Sequence, residues 1–151
     1  MGAIAFCLVY TLYYGGGDTT NYYLGAVALS KLKSVDFVSY LNILNNDLRY
    51  ENYVSFNSDT GYPPYYMYKS STTFSVCRYA SLIAELGSNS FIPMSLLIAT
   101  FSYIGIWKLY RLFNTLYNGM EKHLAYAILF LPTLIFWGSG IMKDTFVLAA
   151  T

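Results

Sequence analysis

The chain is short of charge. Of its 151 residues only 11% are Asp, Glu, Lys or Arg, while 56% are hydrophobic, against about 25% charged and about 45–50% apolar in an ordinary soluble domain. A core of this size cannot hide so much apolar surface, which argues against a water-soluble monomer. An excess of one sign is missing too: nine basic residues stand against eight acidic ones, a net charge of +1. Such a balance offers nothing to hold nucleic acid. Histidine occurs once, as His123, and cysteine twice, as Cys7 and Cys77. With no CxxC spacing, neither a zinc site nor a disulfide framework is indicated, and the redox compartment stays open. Internal repeats, low-complexity tracts and strand-rich alternation are also lacking. What is plentiful is aromatic: 19% of the chain, with 17 tyrosines. Tyrosine suits a membrane–water boundary, where one end of the ring is wet and the other apolar.

Phe91 to Phe113 is the clearest span, its only charges being Lys108 and Arg111 near one end. As a helix it is about 34 Å long, enough for a hydrocarbon core of about 30 Å. Pro93 fits its first turn, where a missing N–H costs nothing. A second apolar run, Leu124 to Met142, has no formal charge and carries Pro132 and the Gly138-Ser139-Gly140 break. It predicts a transmembrane helix over 124–141 whose helical part ends near Trp137. Between the two lies a polar turn, Asn114 to His123, completing a hairpin. Lys108, Arg111 and Lys122, opposed only by Glu121, place this turn in the cytoplasm by the positive-inside rule. Phe91 and Trp137 are then on the outer side.

Residues 1–14 read as the outer end of a first transmembrane helix, because Gly2 to Tyr14 would be about 20 Å long and too short to span alone. Residues 145–151 read as the start of another. The expectation is a fragment of a larger multi-pass protein. Residues 15–90 form the outer segment. Thr19 to Leu32 predicts a helix, with Tyr22, Tyr23, Ala26, Val27, Leu29 and Leu32 near 3.6-residue spacing and Asp18 as candidate N-cap. Its apolar face suits the membrane interface. Asp36 to Leu48 repeats the pattern, with Phe37, Tyr40, Leu41 and Leu44 on one side. Asn57 to Tyr68 is a loop broken by Gly61 and Pro63-Pro64, and Phe74 to Leu86 returns to helix before the Phe91 span. The fold class expected is all-α: a multi-pass helical membrane protein with an amphipathic helical segment on its outer face.

Two polar elements stand out. In Gly15-Gly16-Gly17-Asp18 the glycines let the backbone turn and approach a ligand closely, and Asp18 is placed at the mouth of the membrane on the outer face. It is there either as a helix cap or as a group that takes a proton or ligates a metal. The run is not a P-loop, since no Gly-Lys-Ser/Thr follows. In Phe136-Trp137-Gly138-Ser139-Gly140-Ile141-Met142-Lys143-Asp144, the Lys143–Asp144 pair heads an apolar run on that same face. It is either an interfacial cap with a snorkelling lysine or a functional pair. Arg78 is placed to meet a phosphate or to lie as solvated surface. Tyr62, Tyr65, Tyr66 and Tyr68 fit either sugar stacking or an aromatic belt. His123 lies a membrane thickness from Asp18, so no Ser-His-Asp triad is available at the outer site.

A first helix leading into a Gly-Asp element, an amphipathic outer helix, and a hairpin whose returning arm ends in a Pro-containing aromatic run and a Lys-Asp pair resembles the GT-C superfamily of membrane glycosyltransferases. The pattern is similar also to EpsG-type and O-antigen polymerases, and to multi-pass proteins of Bacteroidota with GGGD and FWGSG-KD elements. The resemblance implies glycosyl transfer, or glycan polymerisation, from a polyprenyl-phosphate-linked sugar to a glycan acceptor on the outer face of the bacterial inner membrane. It implies Asp18 as catalytic base or metal ligand, Lys143 facing the lipid phosphate with Asp144 and Arg78 as further substrate contacts, and leaves a divalent cation open because a single Asp stands where some members have a pair. The reading from a different class is a non-enzymatic transport or assembly subunit in which both aspartates only cap helices. A full-length chain of about eight or more spans favours the first reading, and one of four spans the second.

Overall fold

The computed structural model describes residues 2–46 and 49–150. Among these residues the chain is helical and has no strand. Helix α1 (Gly2–Leu8) widens into a π-helical turn over Val9–Tyr13. Then come α2 (Asp18–Val35), α3 (Phe37–Asn45), the short α4 (Tyr50–Tyr53) and α5 (Ser71–Ala84). Helix α6 (Phe91–Leu116) has 26 residues, about 39 Å. It is the one helix among the described residues long and apolar enough to cross a membrane, and 33% of its apolar window is buried by the rest of the chain. The chain closes with α7 (Glu121–Leu124), a π-helical turn over Ala125–Leu129, α8 (Pro132–Trp137) and α9 (Lys143–Ala149).

The single returning helix expected over 124–141 is corrected. Helical structure stops at Leu129, Leu131 is extended (φ −68°, ψ 117°), and a separate helix starts at Pro132. Proline supplies the reason: its ring drives the preceding residue out of the helical region, and it has no N–H to continue the ladder. Past Trp137 the chain reverses through Gly138, Ser139, Gly140 and Ile141, all buried. Backbone that leaves a helix in apolar surroundings needs other partners. Here the Thr145 hydroxyl meets the carbonyls of Trp137 (2.9 Å) and Gly140 (2.7 Å), and the Ser139 hydroxyl donates to the Ile135 carbonyl. A Cβ on Gly140 would overlap the Phe6 ring of α1, and one on Gly105 of α6 would run into the Leu148 carbonyl of α9. Lack of side chains at these two points lets α1, α6 and α9 close around the reversal.

The segment between α1 and α6 supplies most of the buried core, including Leu29, Leu32, Ile43, Phe74, Cys77 and Ala80, which is completed by Met94 and Ile98 of α6 and by Ile141 of the reversal. Each fully buried large apolar side chain contributes about 1.5–3 kcal/mol. Helices α2 and α5 approach closely at Gly25, where a Cβ would stand 2.6 Å from the Cys77 sulfur. Asp36, rather than Asp18, is the working N-cap: its carboxylate accepts from the Val38 and Ser39 amides (both 3.1 Å) and from the Ser39 hydroxyl (2.6 Å). In α3 the inward face is Tyr40 and Ile43 with Leu44 against the core, whereas the expected partners Phe37 and Leu41 are exposed. Of the run expected to reach Leu48, residues 47 and 48 lie outside the described residues. Tyr23 joins this layer to the long helix, donating to the Asn89 carbonyl (2.8 Å) and setting its ring 5.3 Å from that of Phe91. The start of α2 is thereby fixed at the Phe91 end of α6.

Candidate functional site

Asp18 owes its place to three consecutive glycines. Gly15, Gly16 and Gly17 have φ of 65°, 131° and 143°, values that side chains bearing a Cβ rarely adopt. With Tyr14 they carry the chain from the π-helical end of the first helix to α2 in four residues. Gly17 stands at the N-cap position without a side chain to bond the helix start. Asp18 is the first helical residue, exposed, where a negative charge is favoured by the helix dipole. Capping therefore does not account for it.

One turn further along α2, Tyr22 lies beside Asp18 at i+4 spacing and is 5% exposed. Burial, and then the negative charge of Asp18, push its hydroxyl up to about 12, with Tyr66, Cys77 and Asp144 adding to the effect. Both Asp18 and Asp144 thus act on one buried phenol. Tyr66 is carried by the 3₁₀ turn Tyr65–Lys69. Its hydroxyl is raised by burial and by Asp18, while a hydrogen bond with the Asn21 side chain works the other way. Lys143 arrives from α9, its ammonium donating to the Thr73 hydroxyl of α5 at 3.1 Å. Asp144 also borders an apolar groove of about 460 Å³ lined by Leu131, Leu134, Trp137, Val147 and Leu148.

The charges of Asp18 and Asp144 therefore both reach Tyr22, while Lys143 is held on α5 through Thr73. Arg78 is engaged elsewhere, its guanidinium donating to the Asn46 carbonyl (2.9 Å) and tying α5 to the end of α3. The loop tyrosines divide. Tyr62 stacks on Tyr53 (5.8 Å between centroids), Tyr65 and Tyr68 pack edge to face (4.7 Å), and the Tyr53 hydroxyl donates to the Pro63 carbonyl. Tyr66 lies within reach of the Asp18 charge, which raises its hydroxyl. Tyr22 was readable as a neighbour of Asp18 from helical spacing, but Tyr66 and Thr73 reach the site through long-range packing that no local pattern encodes. Among the described residues no group of three or more His, Cys, Asp or Glu is spaced to hold a metal ion. Asp18 would bring one carboxylate to a cation, so the residues present do not fit a protein-held metal.

Compared with known protein families, curated proteins and solved structures, the chain matches none.

Proposed function

We propose that this chain carries part of the catalytic face of a multi-pass glycosyltransferase or glycan polymerase that uses a polyprenyl-phosphate-linked sugar at the outer face of a bacterial inner membrane. The observation that supports it best is that the charges of Asp18 and Asp144, from distant parts of the chain, both reach Tyr22, and that Lys143, next to Asp144 in sequence, is held by Thr73. A carboxylate free of capping duty, a lysine with two ammonium hydrogens still to give, and an adjoining apolar groove suit an amphiphilic donor with an anionic head. In this reading the acceptor hydroxyl attacks the anomeric carbon and its proton passes to Asp18. The bond from that carbon to the phosphate oxygen breaks, and the lipid phosphate leaves with the bonding pair, its charge met by Lys143. The groove beside Asp144 takes the isoprenoid tail. No step is routed through a metal.

Asp18→Asn in the full-length protein tests this. Asparagine keeps the size and hydrogen bonding of the side chain but is no base, so glycan production is expected to fall by about 10²–10⁴-fold with expression and membrane insertion near normal. Lys143→Gln is expected to reduce it less. Normal glycan from the Asp18→Asn protein would overturn the assignment.

A further inference from the structure

The reversal over residues 138–141 folds α9 back beside α8, and the groove of about 460 Å³ between them is of a size that takes a small molecule. Leu131, Leu134 and Trp137 of the broken return line one wall, and Asp144, Val147 and Leu148 the other. The last three recur at i, i+3 and i+4 and so share one face of α9. Asp144 is the one charged residue in this lining, and it is exposed. Its carboxylate makes no hydrogen bond or ion pair with a described residue. The neighbouring ammonium does not neutralise it: successive helical residues point about 100° apart, and Lys143 is turned to Thr73 of α5. A carboxylate set against apolar surface in a membrane protein is costly without a counter-charge. The larger groove, about 560 Å³ between α1, α6 and the broken return, has no charged residue in its lining. A neutral apolar ligand has that site open to it, and charge marks out the smaller one.

We propose that the groove between α8 and α9 binds an organic cation with a bulky apolar body, the charge meeting Asp144 and the body lying against Leu131, Leu134 and Leu148. Trp137, exposed in the wall of the groove, adds the aromatic side chain that attracts a cation best. An isoprenoid tail uses the same apolar walls but leaves the carboxylate unpaired. The two ligands therefore compete for the groove, and only the cation draws on the charge of Asp144. The site rests on the cavity and its single charge, and it is independent of the glycosyl-transfer reading.

Equilibrium binding to the full-length protein in lipid nanodiscs tests this, with radiolabelled tetraphenylphosphonium as the probe and tetraphenylborate as an anion of the same shape. Binding to protein-free nanodiscs is subtracted from both. Saturable binding is expected for the phosphonium and not for the borate. It is expected to weaken about fivefold in Asp144→Asn, the upper range for a partly exposed charge pair, and about twofold to fivefold in Trp137→Leu, which keeps the groove apolar but removes the ring. No saturable phosphonium binding, equal binding of the borate, or undiminished binding to either variant would overturn the site. Asp144-dependent phosphonium binding in a protein that makes no glycan upholds the site and overturns only the transferase reading.

Discussion

Two aspartates open successive helices of the segment between α1 and α6 and do different work. Asp36 spends both carboxylate oxygens on the start of α3. The Ser39 hydroxyl, followed by the Ser39 and Val38 amides, holds it below the usual carboxylate range. Its folded-state value is the depressed one, so the stability it adds is present above the ordinary aspartate value of about 3.9 and is lost as pH falls through the lower folded value. Thermal unfolding between neutral pH and pH 3 is expected to show this loss in the wild-type protein and a flatter profile in Asp36→Asn. Parallel profiles would remove the cap from the account. Asp18 makes no such bonds, and its carboxylate remains available to the Tyr22 and Tyr66 side.

Among the elements, the broken return from α7 to α9 determines where the Lys143–Asp144 pair ends up. Gly140→Ala is expected to destabilise the fold by about 1–3 kcal/mol, the usual cost of overpacking, because the new methyl enters the Phe6 ring. Chemical denaturation in detergent measures it, and an unchanged midpoint would mean that α1 and the reversal do not pack as described. How far these elements were legible depends on how local their causes are. Helix α2 follows from side-chain periodicity and the start of α6 from its apolar run and from Pro93 in the first turn, and both are found close to where the sequence places them. The break at Leu131 was signalled by Pro132, yet the uninterrupted apolar run around it reads as one span because hydropathy is blind to backbone geometry. Exposure of Phe37 and Leu41 depends on how α3 lies against α2, with Tyr40 turned to Ser81 of α5, and periodicity cannot supply that. The same holds for the site: Asp18 and Lys143–Asp144 are visible as polar interruptions of apolar sequence, while Tyr66 and Thr73 join them only through contacts made after the chain has folded.

At the scale of the whole molecule, the claim on which the rest depends is that two polar elements more than a hundred residues apart share one face of the membrane. The Phe91 end of α6 gathers α2 through Tyr23, and the site gathers α9 through Thr73; Lys108, Arg111 and Lys122 lie toward or beyond the other end. A membrane-impermeant maleimide applied to intact cells tests it most directly, with single cysteines at Asp18, Asp144 and Asn118 and with native Cys7 and Cys77 both buried. Labelling from outside is expected for Asp18→Cys and Asp144→Cys alike, with Asn118→Cys labelled only after the cells are opened. Labelling of Asp18→Cys and Asp144→Cys from opposite sides would contradict the shared face, and the catalytic reading with it.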